Sequence, residues 1–433
     1  MPETSSRVDE MMELIEKINP FRRMINSPGL DKSFEIVKEY FPETIIHEYP
    51  AGNSSEDWDC PPAWEVVEGY LKDENGTLIA GTHEHYLFVA AYSEKIDGWF
   101  TKEEISKNCR CHPTIKDAYF LEHRNAYNHA LVNWGITMPQ NTFDQLSEDK
   151  KYHIYIKTKI NKDSSMKVAE LFLPGSSEEI ISFTAHIDEL CNDNLASCCV
   201  ALVLFKYLSQ LENRKYSYQL LLIPETIGTF FYVTNNMDKI ENTVGMINLE
   251  TLGKGENWLL KEALTPNSEV EFALKMALIE LEQEFTESNF WGGYGNDERV
   301  YEWPTLNIPS PALQRFPFRE YHSSHDTPEN LDKWALGKAF DILFKCIEIL
   351  EENMIPEYIN LTPPWLSKHG LYFDSIDDKD AFHKFNNLIL FNINGHNSIL
   401  DLAFITDLKF SKIKNWLDKF LVKGFIKYNN YEI

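Results

Sequence analysis

The sequence is short of positive charge, of cysteine and of long apolar runs. Its 433 residues carry 41 Lys and Arg against 67 Asp and Glu, a formal net charge of −26. A chain this acidic repels phosphate backbones and anionic headgroups, so neither nucleic acid nor a membrane surface is an expected partner. No apolar run approaches the ~20 residues that a bilayer-spanning helix needs. The window around Ala201–Leu208, one of the longest, is interrupted by Lys206. The opening MPETSSRVDEMMELIEKINP lacks a basic start, an apolar stretch and a small-residue cleavage site. It reads as an amphipathic helix, and the expected location is cytoplasmic. The seven cysteines, Cys60, Cys109, Cys111, Cys191, Cys198, Cys199 and Cys346, are an odd number expected to remain as thiols. Cys109, Cys111 and His112 lack the two-residue spacing of a zinc knuckle. His83 and His85 share a strand face but have no third ligand nearby. There is no internal repeat and no low-complexity segment.

What is present is ample core material, with 43% apolar and 13% aromatic residues. The length exceeds what one hydrophobic core usually serves, so two or three folding units are expected. Helical periodicity marks Met11, Met12, Leu14, Ile15 and Ile18, then Phe34, Ile36, Val37 and Phe41, with Pro42 closing the second run. Over 46–162 the texture turns to short β-branched and aromatic runs, WEVVEGYL, HYLFVAAYS and KYHIYIKTKI, parted by turn-formers such as DENG. From 163 to 360 strands alternate with helical segments, which predicts an α/β sheet with helices on its faces. The two N-terminal helices are too small for a core of their own and are assigned to that domain, as 1–45 plus 163–360. Pro356, Pro363 and Pro364 mark a linker, and 365–433 has the helix, helix, helix, strand order of a winged helix-turn-helix.

The chemistry-bearing residues fall just after strands of the α/β region, where open sheets of this class place their binding crevice. His186 ends a buried strand, Asp188 follows on the same face, and Asp193 precedes the next helix. A neutral imidazole with carboxylates at a strand end suits a divalent transition metal, the nearer carboxylate orienting the ring. Taken alone, the segment is better read as a satisfied core histidine beside two loop aspartates, one of them an N-cap. Glu225 ends the strand LLLIPET and Glu250 ends GMINLET, so neighbouring strands deliver a histidine and two acids to one edge. His322, His325 and Asp326 lie in REYHSSHDTPENL ahead of the closing helix, where helix capping is the competing explanation for Asp326.

The series His186-Ile187-Asp188, Asn192-Asp193-Asn194, Glu225-Thr226-Ile227-Gly228, Asn248-Leu249-Glu250 and His322-Ser323-Ser324-His325-Asp326-Thr327 resembles the ordered motifs of the zinc aminopeptidases of the bacterial leucyl-aminopeptidase type. It is closer still to a bacterial branch often associated with polysaccharide biosynthesis, which carries an inserted β domain and a C-terminal winged helix. The resemblance extends over essentially the whole chain. It implies an α/β fold with a phosphorylase/hydrolase-like mixed sheet, zinc as cofactor in one or two ions, and an amide or peptide substrate. Carried over residue by residue, it implies that His186 and Glu250 bind the first metal, Asp193 bridges two, His322 binds the second, Asp188 supports His186, and Glu225 is the general base. Two departures stand out: the superfamily's second glutamate is Thr226 here, and Asp193 follows His186 after a short loop. That would leave the second metal with His322 and Asp193 alone.

The expected activity is metal-dependent hydrolysis of a peptide or amide bond, with Arg299, Arg315 and Tyr321 as further candidates for substrate contact and a homo-oligomer as the expected assembly. Two other readings fit the same residues. One is a deacylase or amidase acting on a sugar- or peptide-linked amide. The other is a metal-binding regulatory protein without catalysis, acting through its winged helix.

Overall fold

The segments Ile180–His186 and Ser217–Ile223 are buried at every position, and Thr243–Glu250 at all but Val244. Strands that are apolar on both faces belong in the middle of a sheet covered on both sides. In the structure, a computed structural model that describes residues 4–123, 133–374 and 379–430, they are β3 (Ile180–His186), β4 (Ser217–Ile223) and β5 (Thr243–Glu250) of an eight-stranded mixed sheet. Its other strands are β1 (Ile45–Pro50), β2 (Ser165–Leu173), β6 (Asn257–Lys261), β7 (Phe285–Ser288) and β8 (Ala312–Phe316), and the order is β1-β2-β4-β3-β5-β8-β6-β7. β3 runs parallel to β4 and β5, with His186 opposite Ile223 and Thr184 opposite Asn248. β8 continues the parallel set, Glu250 facing Gln314. Four carboxyl ends therefore open on one edge. β1, β2 and β6 run antiparallel to their neighbours nearer the centre.

One face of the sheet carries α3 (Leu195–Leu208), buried along its length except at Lys206 and Tyr207. A helix that is apolar all round must be covered all round. α1 (Thr4–Ile18) and α6 (Lys333–Glu352) supply that cover, and α5 (Glu269–Glu280) packs beside α6. Met11, Ile15 and Ile18 of α1 are fully buried in the same cluster as Phe183, Val200 and Phe340. The guanidinium of Arg7 lies 4.3 Å from the centre of the Phe340 ring, and Lys206 pairs with Glu10.

The chain leaves the large sheet after Pro50 and rejoins it at Ser165. Between those points four strands, Leu78–Gly81, Ala63–Lys72, Lys151–Asn161 and Ile96–Thr101, form an antiparallel sheet in that order. This β-rich segment covers the second face together with the helix that follows Glu225, α4 (Ile227–Asn235), where Trp58 stacks on Phe230 with ring centres 4.3 Å apart. At the far end of the chain, strand Ile426–Asn430 returns to pair antiparallel with Met354–Tyr358. The helices Ile399–Thr406 and Phe410–Val422 lie against α5, Phe404 packing on Phe272 at 4.5 Å and Ser411 donating to Glu280 Oε2 at 2.8 Å. Among the described residues no helix is long and apolar enough to cross a membrane.

One buried cation ties the N-terminal helices to the strand-end edge. Arg23, 1% exposed, sits between α1 and α2 (Pro28–Tyr40). It donates to the carbonyls of Ile187 at 2.9 Å, Glu189 at 3.3 Å and Leu190 at 2.7 Å, and to Ile18 at 3.1 Å and Phe21 at 3.2 Å. Its backbone also bridges to Glu189, whose N–H donates to the Arg23 carbonyl at 3.0 Å. The fork-shaped guanidinium satisfies carbonyls that would otherwise be buried without donors, and no other side chain has its geometry. Arg23→Met is expected to lower the free energy of unfolding by about 2–3 kcal/mol or more, since each stranded buried acceptor costs about 1–3 kcal/mol. Urea unfolding followed by fluorescence measures this, and an unchanged midpoint would remove Arg23 from the account.

Candidate active site

His186 is the last residue of β3 and is 2% exposed. Its Nε2 lies 3.4 Å from Asp193 Oδ1 and 3.5 Å from Glu250 Oε2, and its Nδ1 lies 3.3 Å from Asp188 Oδ1. A charge-assisted hydrogen bond would draw such pairs to about 2.7–2.9 Å. Nitrogen and oxygen ligands arranged tetrahedrally about a zinc ion at about 2.0–2.2 Å stand about 3.3 Å from one another. The separations around His186 Nε2 are those of ligands sharing an ion, and the donor set, one imidazole and two carboxylates, is of the kind zinc takes. His186, Asp193 and Glu250 are all buried, with their ligand atoms within 4.8 Å of one another.

The electrostatics show how crowded this edge is. Burial, reinforced by Glu189, pushes the carboxyl of Glu225 up to about 8 against the pull of His186 and His123. Burial likewise raises Glu250, with Asp193 adding to it. Burial works against protonation of His186, yet Glu250, Asp188 and Asp193 together carry it well above the usual imidazole range. For Asp193 burial is outweighed by His186 and His322, which hold its carboxyl well below the usual carboxylate range.

A second group stands beside the first. His322 Nε2 lies 3.2 Å from Asp193 Oδ2 and 3.7 Å from Glu189 Oε2, and His123 Nε2 lies 2.7 Å from Glu189 Oε1. The two imidazoles face each other with ring centres 5.1 Å apart. Asp193 thus gives one oxygen to each group. Sequence reasoning left His322 and Asp193 without companions here. His123, from the β-rich segment, carried no motif, and Glu189 was hidden directly after the His-x-Asp triplet.

Around these groups the supporting contacts run through Asp188, Asp326 and the stretch Asn296–Glu298. Asp188 Oδ1 accepts from the Glu225 N–H at 3.1 Å as well as facing His186, so one carboxylate fixes two strand ends. Asp326 is buried, and its two oxygens accept from the backbone N–H groups of Asn192 at 2.7 Å and Asp193 at 3.0 Å. It holds the loop that carries Asp193 rather than capping a helix. Glu250 Oε2 accepts from Asn296 at 2.9 Å and Asn194 at 3.2 Å. Asn296 in turn donates its backbone N–H to Glu298 at 2.9 Å, and Glu298 pairs in full burial with Lys261. Asp297 accepts from the Thr226 N–H at 2.8 Å and the Thr229 hydroxyl at 2.6 Å, fixing the turn after Glu225. Asn296 therefore holds Glu250 directly, and Asp297 steadies the turn after Glu225 through the Thr226 N–H.

The three candidates for substrate contact separate. Tyr321 stacks on His322 with ring centres 3.9 Å apart and belongs to the site. Arg315 is committed to the Gly255 carbonyl at 2.6 Å and lies 4.9 Å from the Trp258 ring centre, in the frame of the sheet. Arg299 is exposed and lines a different cleft with Trp58, Phe230 and Trp303. His112 is engaged with the Tyr321 carbonyl at 3.0 Å, and His85 accepts from the Leu87 N–H at 3.1 Å. Neither belongs to a metal-type cluster among the described residues.

Comparison with known proteins gives a consistent picture. A family described as a domain of unknown function (DUF4910) matches residues 12–353. A Clostridium acetobutylicum protein, named for polysaccharide biosynthesis and an aminopeptidase-like domain, is 29% identical over 415 residues, which cover 94% of this chain and 93% of that one. A crystal structure from Clostridium acetobutylicum, named as that of a peptidase, is similar with a TM-score of 0.85 at 27% identity, covering 98% of this chain and 97% of the other. A zinc aminopeptidase from Bacillus subtilis shares the fold with a TM-score of 0.60 at 14% identity, covering 80% of this chain and 94% of that one. The match over residues 12–353 places the chain in the DUF4910 family, with a fold shared with the zinc aminopeptidase from Bacillus subtilis.

Proposed function

We propose that this protein is a zinc-dependent aminopeptidase-like hydrolase that cleaves a peptide or other amide bond at the carboxyl edge of β3, β4 and β5. The observation that carries the reading is the ion-ligand spacing of His186, Asp193 and Glu250, with Glu225 just past the neighbouring strand end and tied to Asp188 through its N–H. A cation held there would favour the ionised form of Glu225 that a base needs. His186, Asp193 and Glu250 would hold the metal. Bound there, a zinc ion supplies Lewis acidity and a water acidic enough to react near neutral pH.

The rest falls to the chain. Glu225 takes the proton of the attacking water and returns it to the nitrogen of the departing amine, the two transfers a general base performs in amide hydrolysis. Its backbone is fixed from both sides, by Asp188 at its own N–H and by Asp297 at the next, which sets where its side chain leaves the strand end. Asp188 also fixes the His186 ring through Nδ1. Burial, reinforced by Asp193, keeps the Tyr321 phenol protonated, so it can donate a hydrogen bond to an oxyanion forming beside His322.

The same reading assigns 1–45 and 163–360 to the hydrolase domain, 46–162 to an inserted β domain and 365–433 to a winged helix. The departure of the chain from the large sheet between Pro50 and Ser165 supports the insertion and moves its start from 46 to after β1, whose residues 46–50 pair within the large sheet. In the tail, Lys414 is tied to Asp418 at 2.8 Å and Lys409 to Glu282 at 2.7 Å, which leaves Lys412 and Lys419 exposed on the helix Phe410–Val422. Two free lysines on so acidic a chain favour a protein partner or a second copy over nucleic acid.

Two variants separate a hydrolase from a metal-binding sensor, once a screen of aminoacyl and N-acyl amides has found a substrate. Glu225→Gln should keep zinc near the wild-type level while hydrolysis falls about 10²–10⁴-fold, the usual worth of a general base. Full activity in Glu225→Gln would reject the mechanism. His186→Ala should lose the zinc it shares with Asp193 and Glu250, and activity with it, because a ligand itself is gone. Metal analysis beside the rate measurement reads both.

A further inference from the structure

The turn after β4 offers Thr226 where aminopeptidases of this type carry a second glutamate, so the position next to His322 needs another source of ligands. The structure supplies two. Glu189 lies 3.7 Å from His322 Nε2 through one oxygen and is hydrogen-bonded at 2.7 Å to His123 Nε2 through the other, a bond that an entering ion would replace, while Asp193 Oδ2 lies 3.2 Å from His322 Nε2. The ligand atoms of His123, Glu189 and His322 all fall within 4.8 Å of one another. Glu189 and Asp193 are buried, whereas the two histidines are partly open to solvent, which leaves a path for an ion to enter.

Two of these residues hold backbone conformations that side chains rarely adopt. Glu189 has φ 73° and His322 has φ 56°, both in the left-handed region. Such conformations persist where surrounding contacts over-determine them, and they gather at ligand clamps. Each is gripped from outside its own segment. Arg23 and its backbone hold Glu189. The β-rich segment holds the His322 loop: the Leu121 N–H donates to the His322 carbonyl at 2.8 Å, Tyr119 and Ser324 exchange bonds of 3.0 Å, and His112 Nε2 reaches the Tyr321 carbonyl at 3.0 Å. His123 lies two residues after Leu121 in the segment that makes these contacts. The same stretch of chain therefore fixes His322 and presents the imidazole opposite it.

We propose that His123, Glu189 and His322 form a second divalent-cation site that shares Asp193 with the first, so that the β-rich segment completes the metal centre in place of the carboxylate missing at Thr226. Two imidazoles and two carboxylates are a ligand set of zinc type. The proposal rests on the metal-centre reading given above but not on hydrolysis.

Zinc itself is the probe. Full-length protein stripped with a chelator, reloaded with zinc and dialysed should contain two zinc ions per chain by mass spectrometry. His123→Ala and the near-isosteric Glu189→Gln should each contain one. One ion in the wild type, or two in both variants, would overturn the proposal and leave His123 and Glu189 as an ion pair only. Should either variant fail to fold, anomalous scattering at the zinc edge from wild-type crystals decides: a peak between His123 and His322 is expected, and its absence is fatal. The two readings fail separately. Two zinc ions with an inert Glu225 would sink the hydrolase alone, whereas hydrolysis with one ion and an indifferent His123 would sink the second site alone.

Discussion

Asp193 joins the two halves of the strand-end edge. Its Oδ1 faces His186 and its Oδ2 faces His322, and the carboxylate is almost wholly buried. No other side chain among the described residues faces both groups. Asp326 grips the two backbone N–H groups that end at Asp193, and Asn194 reaches Glu250 and the Leu249 carbonyl from the next residue. Five carboxylates, Asp188, Glu189, Asp193, Glu225 and Glu250, share this edge with three imidazoles, His123, His186 and His322. Negative charge removed from water must be neutralised or paired. That imbalance is what a bound cation would relieve, and with burial it drives up the carboxyl of Glu225.

The halves are built differently. His186 and Glu250 are the last residues of β3 and β5, so their backbones are set by ladder hydrogen bonds inside a sheet covered on both faces. Behind Glu250, the run through Asn296 and Glu298 to Lys261 is itself buried and hydrogen-bonded, which suits a ligand that must not move. His322 and Glu189 sit in loops with left-handed backbones, and His123 comes from the β-rich segment. Their geometry depends on contacts between parts of the chain far apart in sequence. The first half is a product of the sheet, the second of the way three segments meet.

The strand-end pattern could be read directly from the sequence because β3, β4 and β5 are apolar on both faces. A polar residue at the end of such a strand has only one place to go, the edge, so His186, Glu225 and Glu250 announce a common location before any coordinates exist. Asp188 was equally readable as the partner of His186, two residues along on the same face. Hydropathy offered no stretch long and apolar enough for a bilayer-spanning helix, and bulk charge disfavoured nucleic acid. The short N-terminal helices, amphipathic and too small to stand alone, pointed to a supporting role on a larger domain.

Three matters were decided only by tertiary structure. Glu189 looked like a spare acid beside a motif until Arg23 and the left-handed turn aimed it at His322. His123 had no periodicity and no motif, because a single histidine in a loop acquires a role only from what folds against it. Arg299 and Arg315, equal to Tyr321 in the sequence, part company once the neighbouring carbonyl of Gly255 and the Trp258 ring engage one and solvent takes the other. The sequence determined which residues reach the edge of the sheet, since strand periodicity and burial are local properties of the chain. Which loop residues meet them there was left to long-range packing, since a hydrogen bond between Leu121 and His322, or between Arg23 and Leu190, has no signature in either segment alone.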